Sequence, residues 1–224
     1  MLTEARHLDS YSGDFRRFIT RSFDSIPSNL LVADLACGNG WAGKRLIERN
    51  AQFVDFLDIR QEWFNNANAN LEFSNYKFHQ CNIEDEVILL EKIINADVIL
   101  YFGHLYHSID PTSILKAICK SNARYIVLES KISDVNTPDL DKPKILTHYE
   151  DTTPYYNAWS ESGSTIEVSQ PTFAFTKKFL EDTGWTIVDS YFNASEYIPL
   201  PNRIAGPAED KNKQMQQFAF YAVR

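Results

Sequence analysis

Short apolar runs that alternate with stretches of helical spacing constrain this chain more than any other feature. Leu30–Leu35, Phe53–Leu57, Tyr76–Gln80, Asp97–Phe102 and Tyr125–Leu128 have the length and composition of buried strands. Trp41–Arg49, Gln61–Ala69, Ile88–Ile94 and Pro111–Cys119 read as the helices between them. Strand alternating with helix predicts a parallel sheet covered on both faces, because each crossover lays a helix against the sheet. Ahead of it, Leu8, Tyr11, Phe15, Phe18 and Ile19 predict an N-terminal helix over about 3–23. After Glu129 the rhythm breaks. Lys131 to Pro171 is long, polar and aromatic, and is expected to be an insertion serving as a lid or substrate loop. A helix near Thr176–Thr183, a strand at Trp185–Phe192 and a last strand at Gln217–Val223 follow, and the last two are expected to pair antiparallel. At 224 residues this is one domain, 1–224, with an insertion rather than a second core.

The formal net charge of -8 argues against a protein whose main task is gripping phosphate backbones, since that grip depends on Lys and Arg. Cys37, Cys81 and Cys119 are scattered without a pairing pattern, as expected of free thiols in a reducing compartment. The opening MLTEARHLDSYSGDF is too polar for a signal peptide and no apolar run reaches membrane-spanning length, so a cytoplasmic protein without a membrane partner is expected.

The first strand feeds a glycine-rich turn, LLVADLACGNGWAGKR, that half-matches three patterns. Gly38, Gly43 and Lys44 begin a phosphate-binding loop, but the next residue is Arg45, where a hydroxyl for magnesium is required. Gly38, Gly40 and Gly43 spell the dinucleotide fingerprint, and Asp58 ends the second strand where an acid meets ribose hydroxyls. Asp34, Ala36, Cys37, Gly38 and Gly40 spell the turn that holds S-adenosylmethionine. Asp34 separates the last two. It stands inside an apolar run, where a carboxylate needs a partner. The α-amino group of a methionine moiety is a cation, whereas a dinucleotide brings only an anionic pyrophosphate. The alternative is that Asp34 caps a local turn or pairs with Lys44 or Arg45. Ile59 offers an apolar surface to one adenine face. Asn82, after the third strand, is placed to accept from the exocyclic amine while Ile83 packs on the ring.

From about Asn29 to Gly184 the chain resembles class I S-adenosylmethionine-dependent methyltransferases: VADLACGNG, FLDIR, CNIED and ADVILYFGHLYHSIDP stand in that family's order. The resemblance implies a Rossmann-like, doubly wound, seven-stranded, mostly parallel α/β sheet whose last strand is antiparallel. It implies that Asp34, Gly38 and Gly40 contact the methionine part, Asp58 the ribose, and Asn82 and Ile83 the adenine. Phe102, closing the fourth run, joins this cofactor set. The chain departs from the pattern at Asn82, where an Asp is commoner. GHLYHSIDP and RYIVLES also look like the methyltransferase domain of enzymes that finish the wobble-uridine modification of tRNA.

Methyl transfer to oxygen or nitrogen is an in-line displacement that leaves S-adenosylhomocysteine, so alignment supplies most of the catalysis. A hydroxyl acceptor also has to lose a proton. His104 and His107, after the fourth strand, are candidate bases, with His104 the one expected to face the cofactor and Tyr106 orienting it or the acceptor. The competing role for His107 is capping or packing the helix that starts near Pro111. As H-x-x-H without a third ligand the pair is a poor metal site, and no metal is expected. Tyr149, Tyr155, Tyr156 and Trp159 in the insertion, and Arg203 in the last connection, are candidate substrate contacts. The expected function is methyl transfer to a small-molecule acceptor. A tRNA methyltransferase, a non-catalytic S-adenosylmethionine-binding partner subunit and an NAD-dependent oxidoreductase are the alternatives.

Overall fold

The apolar runs are strands and the stretches between them helices, in a computed structural model that describes residues 13–68, 73–132, 141–151, 165–193 and 216–224. In chain order they are α1 (Gly13–Asp24), β1 (Leu31–Leu35), α2 (Trp41–Ile47), β2 (Phe53–Asp58), α3 (Gln61–Asn68), β3 (Tyr76–Gln80), α4 (Glu86–Ile93) and β4 (Val98–Tyr101). A single 3-10 turn (Leu105–His107) precedes α5 (Pro111–Lys120), β5 (Tyr125–Ile132), β6 (Ile145–Asp151), β7 (Thr165–Pro171), α6 (Phe173–Asp182), β8 (Thr186–Asn193) and β9 (Gln216–Val223). The seven-stranded sheet has the order β3-β2-β1-β4-β5-β9-β8. Strands β1 to β5 pair in parallel, and β9 runs antiparallel to both β5 and β8. The doubly wound sheet and its antiparallel last strand are those expected from the sequence.

Two apolar layers sandwich the sheet. Phe15, Phe18 and Phe23 of α1, Trp41 and Leu46 of α2 and Phe64 of α3 share one core with Val32, Val54 and Phe56. Leu89 and Ile93 of α4, Ile114, Leu115 and Ile118 of α5 and Leu180 of α6 share the other with Leu35, Leu57 and Tyr101. Side chains that alternate along each strand serve both layers, so β1 and β4 are apolar almost throughout. Caps set the helix starts. Asp85 accepts from the Val87 and Ile88 amides, Asp110 from those of Thr112 and Ser113, and Thr172 from that of Phe175.

The insertion differs from its expectation as an irregular loop. β5 continues through Lys131 to Ile132, and β6 and β7 form an antiparallel two-stranded ladder from Ile145↔Pro171 to Asp151↔Thr165. Strand alternation is hard to see there because the buried positions of β7 include polar Gln170 beside Val168, while Ile145 of β6 is exposed. The Ser169 amide donates to the Ser108 carbonyl at 2.7 Å, which ties the ladder to the segment after β4. The N-terminal helix is described from Gly13, and Leu8 and Tyr11 lie outside the described residues. Among the described residues no helix is long and apolar enough to cross a membrane.

Candidate functional site

Strand order reverses between β1 and β4, so their connections leave in opposite directions and open a crevice at the carboxyl ends of the strands. The register sets Leu35, Leu57 and Tyr101 level, so the segments that follow β1, β2 and β4 meet at this rim.

The glycine turn is built from left-handed backbone. Ala36, Gly38 and Gly40 have φ of 49°, 55° and 74°. The glycines serve different ends. A side chain on Gly38 would meet nothing within 4 Å, so the space beside that backbone is open. A Cβ on Gly40 would come 2.9 Å from the Phe64 ring, and one on Gly43 2.4 Å from Phe56, so these two let α2 lie directly on β2 and α3. The third glycine of the fingerprint is therefore a packing residue.

Asp34 is buried, and its Oδ2 accepts the Gly43 amide of α2 at 2.9 Å. The capping role set against ligand binding in the sequence is thus present. The two roles coexist, because the bond uses one oxygen. Burial pushes this carboxyl up to about 8; the Gly43 hydrogen bond lowers it and the Asp58 charge raises it further. Cys37 is buried beside it, its thiol held well above the usual range by burial and by both carboxylates.

Asp58 is 2% exposed, and its Oδ2 accepts the Gly38 amide at 2.9 Å. Its Oδ1 accepts the Arg60 amide at 2.8 Å and Arg60 Nε at 3.1 Å. Burial raises this carboxyl, but the hydrogen bonds and charge of Arg60 together with the Gly38 amide more than offset it, and the net direction is downward. Arg60 also lies over the Trp63 ring, 4.3 Å from its centroid.

Ile59 is half-buried, and Ile83 is part of the apolar core. Asn82 Oδ1 accepts the Glu84 amide at 2.8 Å, so one lone pair of the expected adenine contact is already used in a local turn. Phe102 packs on Trp41, centroids 5.2 Å apart, and on Phe23.

After β4 the Tyr101 hydroxyl meets His104 Nδ1 at 2.9 Å, and His104 Nε2 lies 3.9 Å from Glu84 Oε1. Burial holds the Tyr101 phenol well above its usual range, so it stays protonated. Burial, with the nearby His107, pulls the His104 imidazole down to about 3, so it is neutral throughout the physiological range. Glu84 also accepts from Ser108 Oγ at 2.9 Å, and burial raises its carboxyl. His107 is half-buried with its ring 4.1 Å from that of Tyr106, and the α5 cap is Asp110, not His107.

One polar group here was not foreseen. Glu129, 1% exposed on β5, accepts the Gly103 amide at 2.8 Å and Gln217 Nε2 of β9 at 2.8 Å, with Lys131 Nζ 4.0 Å away. The signal was available, since Glu129 interrupts the apolar run RYIVLES as Asp34 interrupts LLVADL. Tyr149 lies on β6, its side chain outside the described residues, as are Tyr155, Tyr156, Trp159 and Arg203 altogether. Among the described residues no group of three His, Cys, Asp or Glu is placed to hold a metal ion.

Asp34, Asp58, Glu84 and Glu129 thus surround the strand ends. That arrangement suits a ligand that brings an ammonium to Asp34 and a diol to Asp58, whose lowered pKa keeps it ionised and opposed to a pyrophosphate. A family model described as "Methyltransferase domain" matches residues 26–196. No curated protein matches the chain. Among solved structures it is similar to a candidate S-adenosylmethionine-dependent methyltransferase from Listeria monocytogenes, at 16% identity and a TM-score of 0.61, over 92% of this chain and 96% of that one. It is similar to the N-terminal domain of EvdMO1, crystallised in the presence of S-adenosylhomocysteine and D-fucose, at 17% identity and a TM-score of 0.62, over 94% and 81%. Magnesium protoporphyrin IX methyltransferase from Synechocystis, with bound S-adenosylmethionine, shares 14% identity at a TM-score of 0.57, over 100% and 85%.

Proposed function

The chain belongs to the methyltransferase-domain family, with S-adenosylmethionine as its cofactor and S-adenosylhomocysteine as the product, and we propose that its acceptor is an oxygen or nitrogen of a small molecule. The observation that carries this reading is the pair of buried carboxyls, Asp34 and Asp58, at the ends of β1 and β2, with the Gly38 amide donating to Asp58 at 2.9 Å. Bound S-adenosylmethionine supplies an electrophilic methyl group whose departure leaves a neutral thioether. Asp34 pairs with its ammonium through the oxygen that does not cap α2. Gly38 lets the backbone approach the methionine part, and Asp58 accepts from the ribose. Ile59, Ile83 and Asn82 line the adenine side.

On the acceptor side, the two histidines divide the work. The protonated Tyr101 hydroxyl is the donor to His104 Nδ1, while Nε2 of that ring lies 3.9 Å from Glu84 Oε1, beyond hydrogen-bond reach. With Nδ1 engaged by a phenol that keeps its proton, His104 braces the segment after β4 rather than accepting a proton. His107, with Tyr106 against its ring, would be the group that takes the proton of a hydroxyl acceptor. The small-molecule reading is supported by the D-fucose crystallised with one neighbour, by another being a magnesium protoporphyrin IX methyltransferase, and by the net charge of -8.

The test is methyl transfer from tritium-labelled S-adenosylmethionine to a fractionated cell extract, with Asp58→Ala as the control. Label in the small-molecule fraction with wild type alone supports the proposal. Label in RNA instead favours the tRNA reading, and intact cofactor binding without label anywhere favours a non-catalytic partner subunit.

A further inference from the structure

We propose that the Arg60 side chain is a built-in occupant of the ribose subsite, which the 2′,3′-diol of the cofactor must displace. The inference rests on Asp58 being the ribose acid. A carboxylate offers about four acceptor positions. The main chain takes two, through the Gly38 amide at 2.9 Å on Oδ2 and the Arg60 amide at 2.8 Å on Oδ1. The Arg60 guanidinium takes the other two, Nε at 3.1 Å on Oδ1 and Nη2 at 3.4 Å on Oδ2. The amides are set by the fold and stay. A vicinal diol brings two O–H donors, one for each position that the guanidinium holds.

Asp58 is 2% exposed, so its lone pairs are not left to water when the site is idle. The Arg60 side chain is 23% exposed and can swing outward. Its guanidinium carbon already lies 4.3 Å from the Trp63 ring centroid, so the cation keeps an aromatic partner after Asp58 is taken. The arrangement makes the subsite discriminating. A ligand with a single hydroxyl replaces only half of the fork and leaves Asp58 shared.

Displacement lowers the apparent affinity by the fraction of molecules whose acid is free. The test is isothermal titration of S-adenosylhomocysteine, at pH 8, into wild type, Arg60→Ala, Arg60→Lys and Asp58→Asn. Arg60→Ala is expected to bind about three- to tenfold more tightly than wild type, corresponding to a free fraction of roughly 0.1–0.3. Arg60→Lys, which keeps the charge but not the fork, should fall between them. Unliganded Arg60→Ala should melt lower than wild type, since its acid has lost a partner, and gain more on adding ligand. Equal or weaker binding by Arg60→Ala, with Asp58→Asn impaired, overturns the displacement and leaves Asp58 as the ribose acid. Unchanged affinity in Asp58→Asn removes the ribose assignment and the displacement with it.

Discussion

Asp34 carries the sharpest pH dependence in the site. Its carboxyl is raised to about 8, chiefly by burial, and the ammonium beside it in the complex favours the ionised form. Binding therefore expels a proton below pH 8, and affinity should climb from pH 6 to 8 by up to about tenfold per unit, then level off. Titration of S-adenosylhomocysteine in buffers of different ionisation enthalpy counts that proton; flat affinity without release would detach Asp34 from the ammonium. In the unliganded protein the sign is set by the raised folded value. The stability that Asp34 contributes is fully present below its unfolded pKa and is lost as pH rises through 8. Asp34→Asn should flatten the fall in melting temperature across pH 6–8. Asp58→Ala should weaken S-adenosylhomocysteine by about 1–3 kcal/mol, the cost of leaving ribose hydroxyls unpaired. With an acceptor in hand, His107→Ala should slow turnover by roughly 10²–10⁴-fold at unchanged cofactor affinity. His104→Ala should leave the base in place and act through the brace; an equal loss in both would return the proton to His104.

At the scale of elements, the site depends on how closely α2 lies on β2. A methyl group at Gly43 would come 2.4 Å from the Phe56 ring and 2.9 Å from Val54. Gly43→Ala should therefore cost about 1–3 kcal/mol in denaturant unfolding and weaken the cofactor, because α2 carries the amide that Asp34 caps. A neutral result would mean that α2 shifts freely. The segment after β4 is held from three sides, by Glu129 on the Gly103 amide, by Glu84 on Ser108 and by β7 on the Ser108 carbonyl. The start of α5 meets the site through the Asp110 amide, which donates to Glu84 Oε2 at 3.4 Å, while the Asp110 side chain serves the helix. Asp110→Ala removes its cap and should lower stability by about 1 kcal/mol without moving cofactor affinity.

For the whole molecule, a ligand that binds only the folded state adds RT ln(1 + [L]/Kd), about 2.7 kcal/mol at a hundredfold excess over Kd. In a chain of 224 residues that should raise the melting temperature by about 5–10 °C with S-adenosylhomocysteine and leave it unmoved with NAD or ATP. A shift with NAD would overturn the reading of Asp34. The alternation of apolar runs with helical stretches determined the sheet, its two covered faces and its antiparallel end, because a strand buried on both sides must be apolar at nearly every position. The same logic exposed Asp34 and Asp58, charges that stand out against an apolar run. It did not reveal the β6–β7 ladder, whose buried positions include polar Gln170 and whose exposed ones include Ile145, so that no clean period shows. Nor did it reveal that Arg60 folds back on Asp58, that Tyr101 and Glu84 flank His104, or that Glu129 of β5 and Gln217 of β9 meet under Gly103. Those pairings depend on which strand ends lie side by side. Composition and spacing determine what each segment becomes, and the order of the strands decides which side chains share a lone pair.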